Sequence, residues 1–342
     1  MTTLETARPV PATDDRGMSR RRLDGEVWTV IALFAITIVM ILASRLISPS
    51  FGSWEQARAI LILTSFVMVI AFGQQSVILL GGLDLSVGSM MTLGGILTFS
   101  WIGASGPALV WGIPAVLIVT ALIGAANGIG VTVFRVPPFI MTLAMGIIIY
   151  SAALGITGGT PSGQSAPLLG ALFTHSILSI PWVIILMAVV ALFGGLLQQA
   201  TPFGRRLYAI GTSPQAALIA GIPVRRIVIL TYAISGAAAG FAGVLMVGYS
   251  GGATLTMGDS YLLPSIAAVV IGGTSIVGGR GLYLGAIGGA FLLTTLSTVI
   301  ASIGIAQGWR TIIYGLVILF ALVLLRDELS VWIVRVKTGG RP

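Results

Sequence analysis

The sequence predicts an all-α polytopic membrane protein of about ten transmembrane helices, with both termini cytoplasmic and with glycine-broken or re-entrant segments inside the bundle. Three observations carry that expectation. Of the 342 residues, 56% are hydrophobic and only 8% charged, and the mean hydropathy is +1.05. About a quarter of an ordinary soluble domain is charged, so this chain lacks the polar surface a soluble protein of its length would turn to water.

A helix crossing ~30 Å of hydrocarbon needs about 20 mainly apolar residues, because the bilayer offers no water to an open backbone. Such stretches run approximately over 27–47, 59–80, 86–102, 108–133, 138–157, 177–198, 227–249, 262–279, 282–303 and 309–326. Repeated glycines interrupt 81–95 and 271–289, which makes the third, eighth and ninth stretches the least regular. The first run is too long for the apolar region of a cleavable signal peptide. Residues 1–25, with Pro9, Pro11, Asp14, Asp15 and the cluster Arg20, Arg21, Arg22, read as a disordered cytoplasmic tail. A transmembrane domain then fills 26–326, and 327–342 form a cytoplasmic C-terminal tail.

Orientation follows from the basic residues, which cytoplasmic loops retain during insertion. With the amino terminus inside, Arg8, Arg16, Arg20, Arg21, Arg22, Arg135, Arg205, Arg206, Arg225, Arg226, Arg280, Arg326, Arg335, Lys337 and Arg341 share the inner side, against Arg45, Arg58 and Arg310 outside. Trp28, Trp101, Trp111, Trp182 and Trp309 each fall near an expected span end, where amphipathic rings sit at the headgroups. The net charge of +8 is therefore read as topology: 17 of the 18 basic residues are arginines scattered between apolar runs, with no basic-aromatic platform for nucleic acid.

Much chemistry is disfavoured from the outset. The chain has no cysteine and a single histidine, His175, so no metal centre, disulfide or cofactor is expected and an enzyme is the least supported class. A phosphate-cradling P-loop needs G-x-x-x-x-G-K-[ST], and the one lysine, Lys337, lacks both glycines at that spacing. The chain is not its own ATPase.

The longest inner loop, 199–226, predicts a short helix. Ser213 is placed to cap it, Pro214 takes the first helical position, Gln215, Ala216 and Ala217 follow, and Gly221 and Pro223 stop it. About two turns flanked by Arg205, Arg206, Arg225 and Arg226 would be too short to stand alone in water. Two readings fit: a folded connector between spans, or a contact that transmits force from a soluble subunit.

Here the sequence resembles a known family. Gln215, Ala216, Ala217 followed by Ala220, Gly221, Ile222, Pro223 is similar to the coupling loop of ABC importer permeases. Four further stretches resemble the ribose/monosaccharide branch: GGLDLSVGSMMTLGG at 81–95, NGIGVTVFRVPPFIMTLAMG at 127–146, TPFGRRLYAIG at 201–211 and IAAVVIGGTSIVGGRG at 266–281. The likeness runs over roughly 50–326. Gln215 stands where that pattern usually has Glu, and Ala144 where Gly usually precedes Met145. The resemblance implies a permease in the bacterial inner membrane that conducts a monosaccharide, pairs with a second permease copy or homologue, is driven by cytoplasmic ABC ATPase subunits at 199–226 and is fed by a periplasmic sugar-binding protein. Branched-chain amino acid permeases resemble this branch too.

A path for neutral, hydroxyl-rich cargo needs hydrogen-bonding groups and exposed backbone but no strong fixed charge. Glycines 81, 82, 88, 272, 273, 278 and 279 allow either such backbone or close helix packing, so Gly272 and Gly273 are candidates for the path or gate. Asp84 is an acid beside such a break. Buried without a partner it would cost at least ~2.5 kcal/mol, so Asp84 or Ser86 caps the third span, or Asp84 and Ser86 belong to the path or gate and contact sugar hydroxyls; the two readings are compatible. Asn127 reads as interhelical glue or as a ligand for cargo. Asp259, with Thr254, Thr256 and Ser260, falls in an outer loop as a solvated face or a rim for a delivery protein. His175 reads as an ordinary loop residue, and Pro137 and Pro138 as the start of the fifth span.

GGLDLSVG and GGTSIVGG hint at an internal repeat. Ten spans would make the two parallel, whereas an inverted repeat needs an odd offset. A rival class, the ion-coupled secondary transporter, would need several mid-depth ionisable groups, and only Asp84 offers itself. A channel would need a ring of charges or a carbonyl filter, for which the sequence has no motif.

Overall fold

The computed structural model describes residues 15–46 and 52–324. Its helices are α1 (Asp15–Ser44), α2 (Trp54–Leu79), α3 (Val87–Leu97), α4 (Ala108–Thr132), α5 (Pro138–Thr157), α6 (Pro167–Thr174), α7 (Trp182–Gln199), α8 (Pro202–Thr212), α9 (Pro214–Ile219), α10 (Val224–Ser250), α11 (Asp259–Ile271), α12 (Tyr283–Ser302) and α13 (Gln307–Leu324). A single π-turn, Thr98–Ile102, extends α3, and a two-residue hairpin, β1 (Ser176–Ile177) with β2 (Ile180–Pro181), precedes α7. Among the described residues, α2, α4, α5, α7, α10, α12 and the part of α1 from Val27 to Ser44 are long and apolar enough to cross a membrane. Val87–Ile102 and α11 are shorter apolar helices. The chain is an all-α polytopic membrane protein.

Two helices form the axis of the bundle. In the most apolar 18-residue window of α2, 89% of the residues are buried, and the helix is enclosed by α7, α10, α11 and α12. α10 carries α3 and α4 on its other side, and α5 rests outside those. The α4–α10 crossing is close because Gly124, Gly128 and Gly236 leave no side chains between the backbones: a Cβ on Gly128 would lie 2.6 Å from the Ile229 Cα. Small residues are how membrane helices gain packing energy, since lipid supplies no hydrophobic drive between them. α1 packs on α12, and α13 on α11 and more lightly on α12. Lipid-facing surfaces are apolar, with Ile118, Leu122, Ile147, Ile148, Val189 and Leu192 all exposed. Trp28, Trp111 and Trp309 are 68%, 56% and 63% exposed, as rings at an interface would be.

Several expected boundaries shift. The eighth stretch ends as a helix at Ile271, not 279, because Gly272 and Gly273 turn the chain and 272–282 is non-helical. The sixth begins at Trp182, not 177, since the β1–β2 hairpin occupies the preceding residues. Between the fifth and sixth stretches, where only a connection is expected, the chain forms α6, with Pro167 at its first turn. Where the expected amino-terminal tail is described, from Asp15 on, it is helical. The rest of that tail and the carboxy-terminal one lie outside the described residues.

Candidate functional site

The chain breaks helix twice inside the bundle, at 80–86 between α2 and α3 and at 272–282 between α11 and α12. Non-helical backbone away from water requires partners for its polar groups. In the first break Gly82 N donates to Val77 O at 3.1 Å and Leu85 N to Thr142 Oγ1 at 3.0 Å. The Thr142 hydroxyl in turn donates to Pro138 O at 2.9 Å, with Leu83 O at 3.3 Å, so α5 holds the loop from outside. In the second, Ser275 N donates to Arg280 O at 3.0 Å, and Gly279 N reaches across to Leu79 O at 2.9 Å. The two breaks thus touch, and a Cβ on Gly278 would sit 2.8 Å from Gly81 N.

Asp84, Ser86 and Asn127 meet in one buried cluster, each 0% exposed. Asp84 Oδ1 accepts from Ser86 N at 3.0 Å and from Ser86 Oγ at 2.5 Å. Its Oδ2 accepts from Ser235 Oγ of α10 at 2.8 Å. Asn127 Nδ2 of α4 donates to Ser86 Oγ at 2.9 Å. Three hydrogen bonds to one carboxylate compensate a large part of its desolvation, and the cluster ties the break before α3 to α4 and α10. Ser86 precedes α3 but makes no side-chain cap; its hydroxyl goes to Asp84 instead.

Unused hydrogen-bonding capacity lies deeper in α2. Gln74 is 0% exposed, and neither its Oε1 nor its Nε2 has a partner. Gln75 Nε2 donates to Thr274 Oγ1 at 3.2 Å and Gln198 Nε2 to Ser76 Oγ at 3.0 Å, while both Oε1 atoms stay unpaired. Asn127 Oδ1 and the Tyr232 hydroxyl are likewise buried without partners. The sequence reading singled out none of Gln74, Gln75, Gln198, Thr142, Ser235 or Tyr232. The adjacent glutamines in an apolar span were a visible signal; Ser235, in a run of small residues, gave none.

Gly272 is buried, and its site is one of packing. A Cβ there would fall on the Gly285 carbonyl carbon at the start of α12. Gly273 adopts φ 85° and faces Thr29 of α1. Asp259 is exposed in the first turn of α11, where a carboxylate is favoured by the helix dipole. His175 is exposed, its ring edge-on to Trp182 at 5.3 Å.

The 200–223 segment folds as two helices. Thr201 caps α8, accepting from Gly204 N at 3.2 Å, and Ser213 caps α9, accepting from Ala216 N at 3.3 Å; a proline follows each cap. Gly221, at φ 77°, closes α9, with Ile222 N donating to Ala217 O at 3.0 Å. Ala217 is 4% exposed against Ile210 and Ile227, so it anchors α9 to the bundle. Gln215, Ala216 and Pro223 are exposed, with Ile222 half-buried. Leu218 and Ile219 stand 67% and 88% exposed, and Arg205, Arg206, Arg225 and Arg226 are exposed around them. At the far end of α8, Gly211 lies on Leu79 O and Gly279 N so closely that no Cβ fits. The Tyr208 hydroxyl donates to Gly281 O at 2.6 Å. α8 therefore sits directly on both breaks.

A helical membrane bundle with two packed breaks in its interior and an arginine-flanked, apolar-tipped helix beside them defines a transport permease. The chain belongs to the family described as branched-chain amino acid transport system / permease component, whose profile matches residues 56–322. It is 34% identical over 313 residues to the ribose import permease protein of Escherichia coli (strain K12), covering 90% of this chain and 97% of that one. It is 35% identical over 311 residues to the ribose import permease protein of Bacillus subtilis (strain 168), covering 90% and 96%. The galactose/methyl galactoside import permease protein of Haemophilus influenzae is 30% identical over 309 residues, 84% of this chain and 91% of that one. No solved structure matches. As a member of this family the chain is a multi-pass protein of the bacterial inner membrane.

Proposed function

We propose that the chain is the membrane-spanning subunit of an ATP-driven ABC importer and forms the route by which a monosaccharide crosses the inner membrane. The observation that carries this is similarity over 84–90% of the chain to permeases named for ribose, galactose and fructose import. The chemistry agrees. Gln74, Gln75, Gln198 and Asn127 supply neutral amide groups with unused capacity, suited to hydroxyl-rich cargo. In this reading ten spans cross the membrane, α3 and α11 as short ones, and both termini face the cytoplasm.

α9 is the docking point for a cytoplasmic ABC ATPase: Leu218 and Ile219 enter a cleft of the partner while the four flanking arginines meet its acidic rim. Motion there passes through α8 to the 80–86 and 272–282 breaks, which act as the gate with Asp84, Ser86 and Asn127 as its hinge knot. A second permease copy or homologue completes the path, and a periplasmic sugar-binding protein delivers cargo at the rim that includes Asp259.

The test is uptake of labelled ribose, galactose and fructose by vesicles carrying the chain with its ATPase and binding protein. Accumulation that requires ATP and survives an uncoupler supports the reading. Accumulation by the chain alone on an ion gradient would overturn it, and competition by leucine but by no sugar would move the cargo to branched-chain amino acids.

A further inference from the structure

A cavity of about 230 Å³ lies between α2, α11, α12 and α13, apart from the two breaks. Its polar wall includes Thr294, Ser297, Thr298, Arg310 and Tyr314, and none of its lining residues is acidic. Arg310 Nε is buried there without an acceptor. Thr294 is 7% exposed, and its hydroxyl also has no partner. Thr298, one turn on, returns its hydroxyl to Thr294 O at 2.8 Å in the ordinary helical way, so the free Thr294 group is not a necessity of the helix. By contrast Arg58, another arginine assigned to the outer side, donates to Phe173 O at 3.0 Å.

A guanidinium facing hydroxyl donors in a cavity whose lining holds no carboxylate calls for an anion that carries several acceptor oxygens. A neutral sugar would leave the charge unpaired. Apolar Leu63, Val67 and Leu293 complete the wall. Trp309, 63% exposed, marks headgroup level beside Arg310. A phosphate at Arg310 would thus lie at headgroup depth, beside apolar Leu63, Val67 and Leu293. We propose that this cavity holds the phosphate of an anionic phospholipid, with Arg310 and Thr294 as its ligands. Its assignment to the outer leaflet rests on the orientation proposed above; the site itself does not.

The full chain, purified in detergent without partner subunits, is offered equal phosphatidylglycerol and phosphatidylethanolamine, and retained lipid is counted by native mass spectrometry. Wild type should retain phosphatidylglycerol at least about tenfold over phosphatidylethanolamine, and Arg310→Gln should erase that preference. Thr294→Val, isosteric and freed of an unpaired hydroxyl, should weaken retention several-fold without lowering the unfolding temperature, which guards against a misfolded Arg310 variant. Equal retention by wild type and Arg310→Gln overturns the proposal. Displacement by millimolar inorganic phosphate assigns the site to a soluble anion and overturns the lipid source, and displacement by a monosaccharide overturns the anion chemistry. Because no transport is measured, failure of the sugar-import reading leaves these outcomes unchanged. Labelling of Gly308→Cys in this cysteine-free chain from outside the cell supports the outer leaflet; labelling only from the cytoplasmic side overturns it.

Discussion

The Tyr208 hydroxyl donates to the Gly281 carbonyl oxygen at 2.6 Å, binding the first of the two short helices to the turn that leads into α12. Tyr208→Phe keeps the ring and removes that one bond. If α8 works the breaks, this variant should bind the ATPase at wild-type level while its sugar-stimulated ATP hydrolysis falls several-fold. Full stimulation in reconstituted vesicles would show that the bond is structural only.

Leu218 and Ile219 predict a clean separation of docking from folding. Leu218→Asp with Ile219→Asp changes only exposed side chains, so stability should move by no more than about 0.5 kcal/mol while the ATPase no longer co-purifies. Ala217→Asp, at a buried position, should instead lower the unfolding temperature because it inserts an unpaired charge beneath α9. Retention of the ATPase by the double variant would remove α9 as the contact.

Asp84 accepts three hydrogen bonds, so Asp84→Ala leaves the Ser86 N–H and the Ser86 and Ser235 O–H groups without their acceptor. The expected loss is about 1–3 kcal/mol per stranded group, read as a lower unfolding temperature in detergent. Asp84→Asn keeps the shape and one acceptor and should lose less. An alanine variant as stable as wild type would argue that water already reaches the cluster.

Gln74 offers the opposite case. Neither of its polar side-chain atoms is paired, so Gln74→Leu should leave stability unchanged or raise it. Uptake should nonetheless fall if the amide serves cargo in another state of the gate. Stable protein with undiminished transport would exclude Gln74 from the path.

Composition and apolar run length were enough to read the helical membrane class, and the Ser213–Pro214 pair was enough to place the start of α9. The same cap-then-proline pattern at Thr201–Pro202 starts α8, a second helix where the sequence reading of 199–226 places only one. The glycines at 272 and 273 marked an irregularity, but the exact end of α11 was not legible. Ile276 and Val277 continue the apolar run, whereas in the structure Gly273 turns the chain at φ 85° and Gly272 packs against Gly285. Asp84, Ser86 and Asn127 were picked out singly from their polarity. Their union through Ser235 depends on the α4–α10 crossing, a long-range contact that local pattern does not encode.

Gly272→Ala probes that stop. The added methyl has no room against the Gly285 backbone, so α11 and α12 must separate, at a cost of about 1–3 kcal/mol. Unfolding temperature measures it, and an unchanged value would mean that the crossing is looser than the geometry implies.

The enclosure of α2 bears on biogenesis. Gln74 and Gln75 are shielded by α10, α11 and α12, all made long after α2 leaves the ribosome, so the nascent segment would meet acyl chains with both amides bare. Its lateral release from the translocon ought therefore to await those later helices, and chains cut short before Val224 should be held there or cleared by membrane proteases.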